Sequence, residues 1–545
     1  MNADPAAEPV PIPELSPDLA LGDALNESRG APGAWLEVAD TPAIVLEDDL
    51  TRALALGLAN QPLCSIARTD LPGLPGWAPD ESGTRRGATA LGWEVADRRG
   101  ASRALVRRAV ELEPVSIFAP GALASALPPD VLAVLDDLGR FAGERGRDVL
   151  AVGGLVRDLV LDLPSHEPDI DLVVDGDAIA LATAWARARG NPCTAHAAFG
   201  TATVEIAKAL TVDLTSMRRE RYASPGALPQ VEPGTLLDDL HRRDFTVNAL
   251  AMRITHPGAG TVIDPLDGWG DLRRRVLRVH HPLSFVDDPT RLIRAARYRT
   301  RFGLEPDAGF ERARALALAT GAIERVSGAR VFADLARSFR EREPGASLRV
   351  LAAEEILAAI DPRLGVPERA IARVSQVRAA QDAWAARLRE VDQPIPCLAA
   401  LVWDLDASEL EGVRKRLDPP GRVGAHLEHE VPRMRGLAER LERQPPLAVS
   451  EIHRLLSGIP ESMLVVASVA AGPAARSSVR SFADAWRHVG IATTGSHLRE
   501  LGFAPGPVYG AIQQRLLRAR LDGEVHDLAS ELELVRREFP PPDTR

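Results

Sequence analysis

Two glycines, an arginine and two aspartates in the middle of the chain have the types and spacing needed for phosphate chemistry. Gly153 and Gly154 follow a short apolar run, Arg157 comes three residues later, and Asp169 and Asp171 precede a second apolar run. Glycines and the start of a helix let backbone N–H groups approach an anion, and an arginine can contact a phosphate. Side chains at positions i and i+2 of a strand share one face. The two aspartates therefore suit a divalent metal that supports phosphoryl transfer.

Three elements must position these side chains. The apolar runs 148–152 and 172–174 predict buried strands, and the segment 155–161 predicts a short helix between them. A lone Gly-Gly is usually only a turn, and a lone Asp-x-Asp is usually a solvated strand end. The order strand, Gly-Gly, helix, Asp-x-Asp strand is far more specific than either part.

The run Gly-Gly-Leu-Val-Arg-Asp followed by Asp-Ile-Asp resembles the nucleotidyltransferase head of DNA polymerase β-like enzymes. Its form is similar to that of class II tRNA nucleotidyltransferases (CCA-adding enzymes) and the related bacterial poly(A) polymerases. The resemblance covers about residues 125–360. It implies an α/β nucleotidyltransferase head followed by an all-helical neck, body and tail.

The same resemblance assigns roles to the residues that match it. Asp169 and Asp171 are expected to be catalytic and to hold Mg²⁺, while Gly153, Gly154 and Arg157 are expected to position the nucleotide triphosphate. Asp213 lies in the second of two predicted paired strands, 202–206 and 211–214, and is the candidate third catalytic carboxylate. A solvated strand residue is an equally good interpretation of Asp213.

A basic cluster follows further along the chain. Arg242, Arg243 and Asp244 precede an apolar segment that is predicted to be a helix, so they could be only a capped helix start with solvated charges. They also fall where the family carries an Arg-Arg-Asp motif, whose arginine contacts the triphosphate and whose aspartate contacts the ribose 2′-OH. Arg243, Asp244 and Asn248 are therefore expected to bind the nucleotide.

A third set of charges opens a predicted helix that ends near residue 301. Asp288, Arg291, Arg294 and Arg297 recur every three residues, a spacing that most often produces a surface salt-bridge ladder. The set also resembles the family's Glu-Asp-x-x-Arg motif, with Asp287 in place of the usual glutamate. By that resemblance all four bind the nucleotide, and Asp288 and Arg291 read the base. A carboxylate accepts from the amino group that cytosine and adenine share.

Composition limits the class of protein. The 545 residues predict several domains, and no apolar run approaches the ~20 residues of a membrane span. Three scattered cysteines and the lack of a signal-peptide pattern favour the cytoplasm. The formal net charge of −11 argues mildly against nucleic acid as a partner, but arginines cluster at 218–221, 241–243, 273–275 and 291–301.

The chain divides into five predicted parts. A disordered tail (1–34) precedes a small α/β extension of unknown role (35–120), in which residues 102–111 are expected to form a helix. The catalytic head (125–270) includes a long polar segment, 217–234, that is expected to be a mobile loop. A helical neck for base recognition (271–330) and a helical body and tail for tRNA binding (331–545) complete the chain.

The expected function is template-independent addition of C and A nucleotides to the tRNA 3′ end, from CTP and ATP with Mg²⁺ and with release of pyrophosphate. An A-only or CC-only enzyme would share every motif, although the intact segment 217–234 argues against the CC-only type. A poly(A) polymerase shares the head, but its Gly-Arg-Arg/Lys-Phe-Arg-like signature is missing. Intact Asp169 and Asp171 speak against a non-catalytic RNA-binding protein.

Overall fold

The computed structural model describes residues 10–28, 31–38, 41–69, 93–95, 104–107, 112, 114–163, 170–207, 210–385, 394–443 and 446–539. These residues form two compact units, Met1–Val326 and Ser327–Arg545. Among the described residues, no helix is both long enough and apolar enough to cross a membrane.

The first unit begins with short elements that precede the head. They are β1 (Val10–Pro11), α1 (Leu21–Ser28), β2 (Gly33–Val38), β3 (Thr41–Leu46), α2 (Glu47–Ala55), β4 (Trp93–Val95) and β5 (Ala104–Arg107). Strands β2 and β3 form an antiparallel hairpin, and β1, β5 and β4 form a second, smaller sheet. A 3-10 turn at Leu63–Ile66 follows α2.

Two expectations for this region are wrong. The segment 1–34 was expected to be disordered, but α1 is folded, because Leu21 and Ala24 are buried and the Leu21 amide donates to the Gln61 carbonyl over 2.9 Å. The segment 102–111 was expected to be a helix, but it contains β5, which pairs with strands on both sides. Pairing with the nearby β4 and with β1, which is distant in the sequence, overrides local helix propensity here.

The head contains a central sheet and the helices that flank it. Its elements are β6 (Pro114–Ile117), α3 (Pro120–Ala126), α4 (Pro129–Gly143), β7 (Val149–Val152), α5 (Gly154–Val160), β8 (Ile170–Val174), α6 (Ala178–Arg189), β9 (Cys193–His196), β10 (Thr201–Ala207), β11 (Leu210–Ser216), β12 (Arg218–Arg221), β13 (Gln230–Pro233), α7 (Leu236–His241), β14 (Ala251–Arg253), β15 (Thr261–Ile263), α8 (Gly268–Arg274) and β16 (Val276–Leu277).

The central sheet has the strand order β6-β15-β14-β7-β8-β11-β10-β9. Neighbouring strands in it are antiparallel except β8 and β11, which are parallel because the chain crosses from one to the other through α6, β9 and β10. The four residues of β7 are all buried, as expected for an inner strand. The sheet places the end of β7 beside the start of β8, and so positions the Gly-Gly turn next to the Asp-x-Asp strand.

The neck follows the head within the same unit. It contains α9 (Ser284–Asp287), α10 (Thr290–Phe302), β17 (Glu305–Pro306) and α11 (Ala308–Ala319). Buried aromatic rings join neck and head: the Phe245 and Phe285 centroids lie 6.3 Å apart, and those of Phe285 and Phe310 lie 4.9 Å apart. Because such side chains bury large apolar areas, this cluster fixes α9 to α11 against the end of α7.

The second unit is helical throughout its described residues. Its α-helices are α12 (Gly328–Phe339), α13 (Pro344–Ala353), α14 (Ile356–Ile360), α15 (Glu368–Trp384), α16 (Pro394–Leu401), α17 (Ala407–Leu417), α18 (Gly421–Ala425), α19 (Val431–Glu442), α20 (Val449–Leu456), α21 (Glu461–Ala470), α22 (Pro473–Asp484), α23 (Gly495–Glu500), α24 (Pro507–Leu521) and α25 (Leu528–Glu538). The expected α/β head followed by a largely helical chain is confirmed.

Candidate active site

The Gly-Gly turn joins β7 to α5 as the sequence predicts. Gly153 has a φ of 71°, in the left-handed region that favours glycine. A Cβ placed on Gly153 would lie 3.3 Å from Nη1 of Arg243, so the guanidinium packs closely over this turn. The turn and Arg243, both expected to position a triphosphate, are thus adjacent although they are distant in the sequence.

Two carboxylates stand side by side on the inner strands β8 and β11, toward the end of the sheet that carries the Gly-Gly turn, a place that we call the sheet edge. Asp171 on β8 and Asp213 on β11 are direct partners in the parallel pairing of these strands, and both are exposed. The flanking Ile170 and Leu172 are buried, which turns the Asp171 side chain to the opposite face of the strand. The Thr203 hydroxyl of β10 donates to Asp213. Asp213 therefore lies directly beside Asp171 on the same face of the sheet.

This edge has the donor chemistry that a divalent metal requires, because carboxylate oxygens are the ligands that Mg²⁺ prefers. Within the described ranges, no group of three or more His, Cys, Asp and Glu side chains is close enough to hold a metal. Asp169 lies outside the described residues, one position before β8. Its role as a metal ligand beside Asp171 therefore stays a prediction, with Asp213 as the candidate third carboxylate.

Asp239, which sequence reasoning missed, supports the Arg-Arg-Asp cluster. It is fully buried on α7, and its two oxygens lie 2.8 Å from Nη2 of Arg242 and 2.9 Å from Nη2 of Arg243. Although burial opposes ionisation, Arg243 and Arg242 hold the pKa of Asp239 below its ordinary value. The spacing of three and four residues on a helix was the available signal for this pairing.

A chain of polar contacts joins the turn, the cluster and the neck. Arg157 donates to Oδ1 of Asn248 over 2.7 Å, and Asn248 donates to Asp244 over 2.9 Å. Nη2 of Arg294, on the neck helix α10, lies 2.6 Å from the second oxygen of Asp244. Burial opposes the charge on Asp244, but Arg294 and the Asn248 amide lower its pKa to about 2. Four predicted nucleotide-binding residues therefore form one buried network.

Arg157 has a structural role in this network. The side chain is buried, also pairs with Asp158, and its guanidinium lies 4.3 Å from the centre of the Phe302 ring. Arg157 therefore braces α5 against the neck, and its contact with a phosphate stays a prediction. The contact of Asp244 with a ribose hydroxyl also stays a prediction. The segment after the cluster is a 3-10 turn (Thr246–Asn248) and a strand, so the expected helix there is wrong.

The predicted base-reading pair lies at the corner between α9 and α10. Asp288 accepts hydrogen bonds from the Thr290 amide, over 3.1 Å, and from the Thr290 hydroxyl, over 2.7 Å. Arg291 is buried and donates over 2.7 Å both to the Ser284 hydroxyl and to the Arg242 carbonyl. Arg291 thereby connects the neck to the Arg-Arg-Asp cluster. We name this region, residues 284–291, the neck corner.

The predicted row along α10 is only partly a unit. Arg294 belongs to the buried network, whereas Arg297 lies over the Tyr298 ring, 5.0 Å from its centre. Arg297 is half-buried and lies two turns from Asp288. The structure thus places Asp288 and Arg291 together and Arg297 apart from them.

The segment 217–234, expected to be an irregular mobile loop, is a β-hairpin. Strands β12 and β13 pair from Arg218–Pro233 to Arg221–Gln230, and Arg219 forms a salt bridge of 2.8 Å with Glu232 across the ribbon. The turn is anchored to the neck, because the Gly226 amide donates to the Val286 carbonyl over 3.1 Å. The oppositely charged facing pair Arg219 and Glu232 favours this ribbon over an open loop.

Comparison with known proteins finds one matching family and several similar relatives. The Poly A polymerase head domain family matches residues 149–278. The A-adding tRNA nucleotidyltransferase of Geobacter sulfurreducens is 33% identical over 423 residues, which are 75% of this chain and 47% of that protein. The A-adding tRNA nucleotidyltransferase of Halalkalibacterium halodurans is 29% identical over 76% of this chain and 94% of its own. The Multifunctional CCA protein of Xanthomonas campestris pv. campestris (strain B100) is 34% identical over 57% and 76%.

Solved structures give the same likeness. The Thermotoga maritima CCA-adding enzyme complexed with tRNA matches with a TM-score of 0.61 and 26% identity, over 78% of this chain and all of that one. Structures of a CCA-adding enzyme with ATP and with CTP match with TM-scores of 0.61 and 0.60 at 27% identity, over the same shares.

The chain belongs to the class II tRNA nucleotidyltransferase (CCA-adding enzyme) family, and it is a nucleotidyltransferase. Enzymes of this kind generally use divalent metal ions. The match spans 47% of the Geobacter relative, about half its length, and 94% of the Halalkalibacterium relative.

Proposed function

We propose that this protein adds nucleotides to the 3′ end of tRNA without a template, using CTP and ATP and releasing pyrophosphate. The observation that carries the proposal is the direct pairing of Asp171 with Asp213 at an exposed sheet edge beside the Gly-Gly turn. A nucleotidyl transfer needs a carboxylate-held metal next to a triphosphate cradle, and this edge supplies both parts.

In this proposal Asp169, Asp171 and Asp213 hold Mg²⁺. The metal supplies charge neutralisation and activation of the terminal tRNA hydroxyl. Gly153, Gly154 and Arg243 bind the triphosphate, and buried Asp239 holds Arg243 in place through their 2.9 Å contact. Because Arg157, Asn248, Asp244 and Arg294 already bond one another, their part in nucleotide binding is to keep the turn and the neck in register.

Residues 125–270 act as the catalytic head, residues 271–330 as the neck, and residues 331–545 as the tRNA-binding body and tail. The tRNA complex of the Thermotoga enzyme, which this chain matches over 78% of its length, supports tRNA as partner. A helical surface with scattered arginines suits recognition of RNA by shape and backbone. A cytoplasmic location fits this substrate.

Complete CCA addition is the form of the activity that we propose. The nucleotide complexes of a matching CCA-adding enzyme include both ATP and CTP, and the hairpin 217–234 is intact. Addition of A alone is the second candidate, because the Geobacter and Halalkalibacterium relatives are A-adding enzymes.

One assay separates these forms. The protein is incubated with tRNA ending before CCA, before CA and before A, each with single nucleotides and with CTP plus ATP, and the products are sequenced. Complete addition to all three acceptors supports CCA addition. Extension of only the acceptor that already ends in CC, and lacks just the terminal A, supports the second candidate. Long A tails would indicate a poly(A) polymerase. No extension of any acceptor, with Mg²⁺ present, would contradict the proposed function.

A further inference from the structure

A buried carboxylate lies beside the neck corner and takes its cation from far away in the sequence. The Asp287 side chain is completely buried, and its Oδ2 accepts a hydrogen bond from Arg52 of α2, 235 positions earlier. Nε2 of His281 lies 3.6 Å from the same oxygen. Within the described residues, Oδ1 of Asp287 has no hydrogen-bond partner. A buried charge of this kind is costly unless a cation pairs with it.

The segment that carries Arg52 is held firmly against the neck. Arg68 binds both oxygens of Asp49, over 2.5 and 3.1 Å, and donates a third hydrogen bond to the His280 carbonyl over 3.3 Å. From α11, Arg312 donates to the Ala67 carbonyl and to the Thr69 hydroxyl, each over 3.2 Å. Contacts on two sides therefore fix α2 relative to the neck corner.

The other charged groups around Asp287 do not replace Arg52. Burial lowers the pKa values of His280 and His281 well below the ordinary range, so both rings are neutral near pH 7. The Arg291 guanidinium also lowers the pKa of Asp287, after Arg52, but its hydrogen bonds go to Ser284 and to the Arg242 carbonyl. Tyr222 also faces the Asp287 carboxylate, and the negative charge of Asp288 repels that of Asp287. Arg52 is thus the cation that hydrogen-bonds the Asp287 carboxylate.

We propose that Arg52 is a positioning residue for nucleotide selection, which balances the charge of Asp287 and so fixes the adjoining Asp288 and Arg291. This inference rests on the proposed function, in which Asp288 and Arg291 read the base. Under this proposal, a residue that precedes the head influences nucleotide selection without contacting the nucleotide. Without Arg52, the buried Asp287 charge acts on Asp288 directly, and a shift of about 1 Å at such a site can cost a hundredfold in rate.

The test measures kcat/KM for ATP, CTP and UTP with a tRNA acceptor that the wild-type protein extends. Arg52→Gln should reduce the preference for the correct nucleotide over UTP about tenfold. Arg52→Lys, which keeps the charge, should retain most of that preference. Arg52→Gln combined with Asp287→Asn should recover selection relative to Arg52→Gln alone, because no unbalanced charge is left.

Arg312→Ala is the matched control. It loosens the same segment but touches neither Asp287 nor the neck corner, so nucleotide preference should stay within about twofold of wild type. The proposal is overturned if Arg52→Gln also stays within about twofold, or if Arg312→Ala loses as much selection as Arg52→Gln. Equal losses would mean that the segment only supports the fold.

The pairing of Arg52 with Asp287 can also be tested by a stability measurement, which does not require that the protein extends tRNA. Burial raises the pKa of Asp287 to about 6, against the opposing effect of Arg52. Removing Arg52 raises that pKa further, so the carboxyl is protonated and harmless at pH 5 and ionised and destabilising at pH 8. The Tm loss of Arg52→Gln should therefore grow from pH 5 to pH 8 and disappear in the double variant. A Tm loss independent of pH would contradict the pairing, whereas a pH-dependent loss without tRNA extension by wild type would contradict only the proposed function.

Discussion

The sheet edge at Asp171 and Asp213 and the buried network of Arg157, Asn248, Asp244 and Arg294 are built in opposite ways. At the edge, both carboxylates are exposed on neighbouring strands. In the network, Asp244 is 6% exposed and each of its oxygens is already bonded to protein groups. Exposed acidic side chains retain the capacity to bind a metal, whereas saturated buried ones position other groups.

The difference separates chemistry from positioning. A residue at the edge should affect rate and leave the fold intact, because its side chain is exposed. A residue of the buried network should affect stability and nucleotide binding together. The expected effects below run from the largest to the smallest.

Asp171→Ala should lower the rate of nucleotide addition about a thousandfold, or ~4 kcal/mol of barrier, because it removes a metal ligand at the reacting centre. Its Tm should stay close to wild type, since the side chain is exposed. Initial rates at saturating tRNA and ATP, with a thermal melt of the same sample, check both. Thr203→Val, which removes only the hydrogen bond to Asp213, is the control and should have a much smaller effect. A folded Asp171→Ala protein with more than about a tenth of the wild-type rate would exclude the role.

Asp239→Asn should lower the free energy of unfolding by about 3 kcal/mol, because two half-buried arginines lose the buried anion that they share. The KM for ATP should rise as well, since Arg243 is no longer held over Gly153. Chemical denaturation and steady-state kinetics measure the two effects. An unchanged free energy of unfolding would contradict a stabilising role of the Asp239 charge toward the two arginines.

Asp244 should make stability depend on pH in the acid range. Its pKa is lowered to about 2 in the folded protein from an ordinary value of 3.8, so its contribution is present above pH 4 and is lost as the pH falls toward 2. The contribution amounts to about 2 kcal/mol. Unfolding of wild type and Asp244→Asn between pH 7 and pH 2 should therefore show a difference that shrinks below pH 4. A constant difference would contradict the pairing with Arg294. The same variant should narrow the preference for ATP over dATP if Asp244 also contacts the ribose.

Asp288→Ala should change base choice more than stability. The carboxylate attracts the amino group of cytosine and adenine and repels the carbonyl of uracil, so its loss should reduce discrimination by about tenfold, or ~1.4 kcal/mol. The measurement is kcat/KM for all four nucleotides on one tRNA acceptor. Equal losses for the four would mean that Asp288, through its bonds to Thr290, only caps the neck helix.

Arg297→Ala should have the smallest effect, within about twofold on kcat/KM for ATP and CTP. Its guanidinium lies over the Tyr298 ring and is not among the groups that hydrogen-bond Asp244. A loss as large as that of Asp288→Ala would restore Arg297 to the base-reading row.

The sequence predicted the exposed edge better than the buried network. Apolar runs and glycines located β7, the turn and β8, because these signals are local. The pairs that build the network join residues far apart: 91 positions separate Arg157 from Asn248, and 235 separate Arg52 from Asp287. No periodicity within one element shows such partners.

Local patterns also failed where long-range pairing decides the structure. Residues 102–111 resemble a helix, yet β5 lies between two strand partners. The partners of β5 could not be predicted from the pattern of residues 102–111 alone.

The most direct test compares the Mg²⁺ dependence of nucleotide addition in wild type, Asp213→Asn and Asp239→Asn. If the sheet edge holds the metal and the buried network only positions the nucleotide, Asp213→Asn should raise the Mg²⁺ concentration for half-maximal rate at least about tenfold, with an unchanged Tm. Asp239→Asn should lower Tm and raise the KM for ATP without altering that Mg²⁺ concentration. An unchanged Mg²⁺ dependence in Asp213→Asn, or an equal shift in both variants, would contradict the division between the two regions.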